Sequence, residues 1–345
     1  MKLSDFDFDF PKELIAEHPV ERGMSKMMVV SPNDNNEPIH DKSRNLINYL
    51  SPGDGLFVNE TKVIPARLFG KSPSGGKIEI LLLKKVEGRE GLCWEVMTKP
   101  AKRCKIGLEI IFGSDFSGHI AEQLESSHRL VCFSGTEDSF PFLLEKYGEM
   151  PIPPYIKRSS DAIDKERYQS VFAKYPGSVA APTASFHFSE QHLNEIEKKG
   201  IALIKGTLHV GAGTFKPVEC ENILEHDMHG EYYELSAQAA EMVNSVKQNK
   251  GKIWAVGTTS ARILETLGTS DGRIVSGSGI THKFIYPGYQ WKVVDGLLTN
   301  FHWPKSTLFM LVSSILGVNK AKKSYQNAIK NNYRLFSYGD SMLIC

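Results

Sequence analysis

An α/β layered domain interrupted by an inserted β domain is the fold class this sequence predicts, on three observations. Between residues 56 and 133, short β-type runs follow one another without intervening helical periodicity, the pattern of a small barrel or sandwich. Beyond residue 151, strand-like and helix-like segments alternate, as in α/β domains. Between these regions Phe140–Tyr147 has helical spacing and is stopped by Gly148, and MPIPPY at 150–155 reads as a stiff linker. The expected division is 1–59 together with 151–345 as the α/β domain, and 60–150 as the insertion.

The elements follow in chain order. Residues 1–23 read as extended and then irregular, punctuated by Pro11 and Pro19. Met27–Ser31 is a short apolar run of strand type, and Asn45–Leu50 a short helix ended by the turn SPGDG at 51–55. Strand-type runs then occupy 56–59, 63–69, 77–83, 92–98, 108–112 and 129–133. Ser189 is placed to cap a helix ending at Gly200, and Ser236 one reaching about Asn249. Residues 201–204, 207–210 and 252–256 are strand-like, Ser260–Leu267 is helical, and 284–286 and 296–299 are extended. Two helices close the pattern, Ser306–Leu316 and Ala321–Asn331.

With 41% hydrophobic and 23% charged residues over 345 positions, the chain is of ordinary globular composition and long enough for two cores. It has no run of eighteen apolar residues, so no membrane span is expected. The acidic, alternating start MKLSDFDFDFPKEL is unlike an export signal. Five scattered cysteines suggest neither a disulfide framework nor a thiolate metal site, in keeping with a reducing cytoplasm. Residues 241–345 hold 13 Lys/Arg against 5 Asp/Glu. That asymmetry points to a polyanionic partner on the C-terminal part, or to a solvated helix surface around Lys320, Lys322, Lys323 and Lys330.

Polar residues gather at strand–helix junctions. LTNFHWPKSTLFML at 297–310 places Asn300, Phe301, His302 and Lys305 in a turn before a helix, an arrangement suited to an anion. PTASFH at 182–187 offers Thr183 and His187; a histidine there is either a base or a core residue bonded to a carbonyl. TLHVGAGTF at 207–215 reads as a strand running into a glycine turn, with His209, Gly211, Gly213, Thr214 and Phe215, where the two glycines allow close backbone approach to a ligand. This is no dinucleotide fingerprint, because Lys216 stands where a third glycine is required.

HDMHGEYY at 226–233 invites a metal reading, but spacing fixes no third ligand. A polar substrate loop with His229, and with Glu231 as base or acceptor, is preferred. VGTTSAR at 256–262 supplies Thr258, Thr259, Ser260 and Arg262, suited to a phosphate, carboxylate or ribose, with Ser260 or Thr259 capping the helix. Tyr286 and Tyr289 flank a Pro-Gly turn, where they either stack on a base or simply pack.

Eight stretches in order resemble one family: VIPARL at 63–68, PGSVAAPTASFHF at 176–188, LHVGAGTF at 208–215, MHGEYYEL at 228–235, VGTTSARILE at 256–265, FIYPGY at 284–289, TNFHWPKSTLFMLVS at 299–313 and YRLFSYGDSMLI at 333–344. They look like the S-adenosylmethionine:tRNA ribosyltransferase-isomerases of queuosine biosynthesis. The likeness covers nearly the whole chain and is weakest over about 70–135. It implies an α/β three-layer sandwich domain interrupted by a β-barrel domain. It also implies a cytoplasmic monomer that needs no metal.

The implied reaction uses S-adenosylmethionine as ribosyl donor. The ribosyl unit is transferred and isomerised onto 7-aminomethyl-7-deazaguanine at the wobble position of tRNA, giving epoxyqueuosine-tRNA, adenine and methionine. Departures from the family pattern are Ser185-Phe186 for Gly-Leu, Trp303 for leucine, Ala261 for valine, and Lys26 and Lys62 for arginine.

Such a reaction requires a base for the ribose 5′ proton, help for departing adenine and tolerance of a sulfonium. His187, His209, His229, His302 and Glu231 are the proton-transfer candidates, without distinction among them. Phe215, Phe301, Tyr286 or Trp303 suit the sulfonium through cation–π contact. Arg262 and Thr258–Ser260 suit the carboxylate or ribose hydroxyls, while Lys305 and the basic C-terminal helices suit tRNA phosphates. The rival classes are a metal-dependent hydrolase using the histidines and a non-catalytic RNA-binding module.

Overall fold

The computed structural model describes residues 1–345 except Asn35, 125–127, Ala212 and 214–217. The first strands are β1 (Lys26–Val30), β2 (Ile39–Lys42), β3 (Gly55–Asn59) and β4 (Thr61–Val63). The insertion contributes β5 (Arg67–Lys71), β6 (Lys77–Lys85), β7 (Leu92–Lys99), β8 (Glu109–Ile111), β9 (Ser117–Gln123) and β10 (His128–Phe133). Helix α1 (Phe140–Tyr147), β11 (Gly148–Glu149), α2 (Ala162–Arg167), β12 (Tyr175–Ser178) and α3 (Glu190–Lys198) lead back to the larger sheet. There follow β13 (Ala202–Leu208), β14 (Glu231–Leu235), α4 (Ala237–Gln248), β15 (Ile253–Val256) and α5 (Gly257–Leu267). Then come β16 (Gly277–Thr281), β17 (Gly296–Asn300), α6 (Thr307–Leu316), α7 (Val318–Lys330) and β18 (Ser341–Ile344).

The larger sheet has the order β16-β14-β13-β3-β15-β17-β18-β1-β2. Its centre, β13-β3-β15-β17, is parallel, so Leu208, Asn59, Val256 and Asn300 end side by side at one rim. Alternating residues of these strands face opposite layers. Phe57, Ile204, Ala255 and Leu297 pack with apolar residues of α4, α5, α6 and α7. Leu56, Val58, Trp254 and Leu298 pack with Ile196 of α3 and with Leu46. The result is a three-layer sandwich, as the family resemblance implies.

In the insertion the order β5-β6-β7-β10-β9-β8 closes through the pairing of β5 with β8, an antiparallel barrel. Ile80, Val96, Ile120 and Val131 fill its interior. This resolves the sequence alternatives in favour of a barrel.

Several local expectations need correction. Strand β9 was not anticipated, because SGHIAEQ has little alternation. The metal-like segment is a loop only up to Gly230; Glu231 opens β14, held between β13 and β16 by backbone pairing that its polar sequence conceals. Residues 201–204 and 207–210 are not two strands but one, β13. Cys93 and Cys132, expected to stay apart, face each other across β7 and β10 and are joined in a disulfide, with Cα atoms 4.0 Å apart. Register in the barrel, invisible in their 39-residue separation, brings them together. No helix among the described residues is long and apolar enough to cross a membrane.

Candidate active site

The rim where the four parallel strands end is tied together by Asn59. This fully buried amide donates to the Leu208 carbonyl at 2.9 Å and to Thr259 Oγ1 at 3.2 Å, and its oxygen accepts from the amides of Thr61 and Leu208. Beyond the rim lies a cavity of about 320 Å³, within the usual range for a small-molecule site. Of the residues singled out from sequence, Thr183, Thr258, Thr259, Arg262, Asn300, Phe301, His302 and Lys305 line it. Tyr155, Trp303 and Phe336 form an aromatic wall beside Ser337, and in it the Trp303 and Phe336 rings stack 4.2 Å apart.

Local sequence explains these placements. Gly257 turns the chain into α5 with φ of 85°, a left-handed conformation suited to glycine. No side chain caps α5, whose N-cap is Val256. The expected capping by Ser260 or Thr259 is therefore corrected: both lie within the first turn, where Thr258 and Thr259 face the cavity and Ser260 is fully buried. Ser306 caps α6 as expected, accepting from the Phe309 amide at 3.2 Å. Lys305 stands at the cavity with φ of 57° and pairs with Asp7 at 2.5 Å.

A second row of residues stands behind the lining. Glu231 is buried and forms an ion pair with Arg262; its other oxygen accepts from the Gly211 amide at 2.9 Å and lies 3.4 Å from His229 Nε2. Burial raises the Glu231 pKa, but Arg262, His229 and the Gly211 amide outweigh it and hold the carboxyl below its ordinary value. Arg262 also donates from Nε to the Lys283 carbonyl and from Nη2 to the Thr281 carbonyl. Gly213 lies beneath the His229 ring; a methyl there would sit 2.5 Å from a ring carbon.

His187 is behind Asn300. The Asn300 side-chain nitrogen faces the carbonyls of Phe336 and Asp340, which fixes the amide orientation, and lies 3.4 Å from His187 Nε2. His187 Nε2 therefore accepts, and Nδ1 carries the proton toward Ser25 Oγ at 2.7 Å. Burial pushes its pKa down to about 4, so the ring is neutral. Thr183 Oγ1 donates to the Asn300 oxygen at 2.8 Å.

His209 is set apart, at 2.8 Å from Thr61 Oγ1 and stacked on Tyr232. Thr61 donates onward to Ser178, so His209 Nδ1 donates and Nε2 keeps its lone pair; burial lowers its pKa. His302 hydrogen-bonds Thr299 Oγ1 at 2.8 Å, and its enclosed position pushes its pKa to about 3.

The remaining candidates lie off the cavity. Tyr289 donates to buried Glu265 at 3.0 Å, and Tyr286 packs on Phe284. Thr214 and Phe215 fall outside the described residues. No group of three or more His, Cys, Asp or Glu able to hold a metal occurs among the described residues. Sequence reasoning passed over Asn59 and Tyr155. The signal for Asn59 was present, a lone amide ending the apolar run GLFVN; Tyr155 was hidden in what read as a linker.

Residues 3–344 match the profile of the queuosine biosynthesis protein family. The chain belongs to the queuosine biosynthesis family. Within that family it is 48% identical to an S-adenosylmethionine:tRNA ribosyltransferase-isomerase of Desulforamulus reducens over 349 aligned positions, all of both chains. It is 47% identical to one of Acetivibrio thermocellus over 347 positions, again all of both. The crystal structure of S-adenosylmethionine tRNA ribosyltransferase from Thermotoga maritima is similar with a TM-score of 0.55 and 31% identity, covering 99% of this chain and 100% of that one.

Proposed function

We propose that this chain is an S-adenosylmethionine:tRNA ribosyltransferase-isomerase. One observation carries the reading: a chain 48% identical from end to end to a protein of that name gathers polar residues from four separated motifs around one cavity. The substrates are S-adenosylmethionine and a tRNA bearing 7-aminomethyl-7-deazaguanine, and the products are epoxyqueuosine-tRNA, adenine and methionine. The enzyme works in the cytoplasm as a monomer, and the reading calls for no metal.

Among the described residues His302 is the histidine that lines the cavity. Burial holds it neutral, so one ring nitrogen keeps a free lone pair at pH 7, although the same burial makes it a weaker base than an exposed imidazole. We assign it the ribose 5′ proton, which the neighbouring sulfonium acidifies. Arg262 and the Thr258–Thr259 hydroxyls hold the methionine carboxylate or ribose. Asn300 and Thr183 form a polar wall whose orientation His187 maintains from behind. The aromatic wall of Tyr155, Trp303 and Phe336 suits a purine or the sulfonium.

Incubation with modified tRNA and S-adenosylmethionine tests the reading, with free adenine followed over time. Stoichiometric adenine and methionine release is expected. Absence of adenine with correctly modified tRNA overturns the assignment.

A further inference from the structure

We propose that the barrel loop Lys99–Lys105 is a docking point for the phosphate backbone of the substrate tRNA; this rests on the tRNA reading above. The stretch KPAKRCK places Lys99, Lys102, Arg103 and Lys105 within seven residues and contains no acid. All four side chains are exposed, and none belongs to an ion pair among the described residues.

The loop is also held from beneath. Arg129, only 4% exposed, donates to the carbonyls of Cys104 at 2.8 Å, Ala101 at 3.0 Å and His128 at 2.7 Å. Cys104 is buried as an anchor, and a single 3₁₀ turn spans Ala101–Arg103. A loop already ordered loses little freedom on binding.

The C-terminal part, where the sequence puts its positive excess, is different. There Arg262 is paired with Glu231, Lys305 with Asp7 and Lys247 with Asp295. Lys292 and Arg334 donate to the carbonyls of Gly268 and His18. Part of that excess is therefore already engaged, while Lys322, Lys323 and Lys330 of α7, in no ion pair among the described residues, are spread along a helix rather than gathered in one turn. The barrel loop offers donors only, closely spaced, and carries no aromatic side chain. Such a surface contacts successive phosphates without reading bases.

The test uses the full chain and the modified tRNA, with binding measured between about 50 and 200 mM salt. Lys102→Ala/Arg103→Ala is expected to weaken binding roughly tenfold at low salt. The slope of log affinity against log salt should become shallower by about one to two. Adenine release at saturating tRNA should keep its kcat while KM rises. Lys99→Ala/Lys105→Ala should act in the same direction. Because all four positions are exposed, an unchanged thermal midpoint confirms folding. Unaltered affinity and slope in both double variants overturn the loop assignment and leave the enzymatic reading standing. Normal loss of binding in the variants, with no adenine released by the unaltered protein, overturns the enzymatic reading and leaves the loop standing.

Discussion

Arg262 and Glu231 are each buried to within a few percent and lean on one another. Removing one charge strands the other, a defect that typically costs about 3–5 kcal/mol. Glu231→Gln is accordingly expected to lower unfolding free energy by about that much in urea titrations. Arg262→Ala, which sequence alone offers as a clean test of substrate binding, should show the same loss. His302→Ala is the better separator of chemistry from folding: it should abolish adenine release while leaving the urea midpoint nearly unchanged. A near-normal rate would remove His302 from the reaction.

The pH dependence follows from the same groups. Glu231 has a folded pKa below its unfolded one, so its contribution is complete above the unfolded value and is lost as pH falls through the folded value. His187 is held neutral, with a folded pKa of about 4. An unfolded chain takes up its proton near pH 6.5, so stability falls as pH drops from there toward 4. The slope is about 1.4 kcal/mol per pH unit for one proton. His187→Gln should flatten that part of the stability–pH curve.

At the scale of elements, what could be read from sequence was what has a local cause. Ser189, Ser236 and Ser306 each cap the helix that follows, through a hydroxyl accepting a backbone amide. Ser306→Ala should cost about 1 kcal/mol; because α6 begins at the cavity wall, KM for S-adenosylmethionine should rise with it. Differential thermal scans together with initial rates check both. The elements that escaped reading are set by distant partners. Strands β14 (EYYEL) and β16 (GSGIT) carry little apolar pattern, and exist because β13 offers an edge to β14 and β14 in turn offers one to β16. The site shows the same division: the motifs announced Thr258, Asn300 and His302. Neither the retreat of His187 behind Asn300 nor the engagement of Tyr289 by Glu265 has any local signature.

At the scale of the whole molecule, the alternation of patterns disclosed an α/β domain with a β insertion, while barrel closure and sheet order remained hidden. Both depend on pairings between residues far apart in sequence, such as β5 with β8 and β1 with β18. The placement of β18 between β17 and β1 means that β1 and β2 join the larger sheet only through residues 341–344. A chain stopped after Asp340 is expected to lose cooperative unfolding and adenine release together, although the barrel, with its own apolar interior, should keep its β-type circular dichroism.

The same threading imposes a schedule on synthesis. While the ribosome is still adding residues 341–344, β1 and β2 have been outside the exit tunnel for hundreds of codons, paired with each other but with no strand to join them to the sheet. The larger sheet is therefore complete only once residues 341–344 have left the exit tunnel, and nascent chains stalled short of codon 341 should be selectively recognised by chaperones.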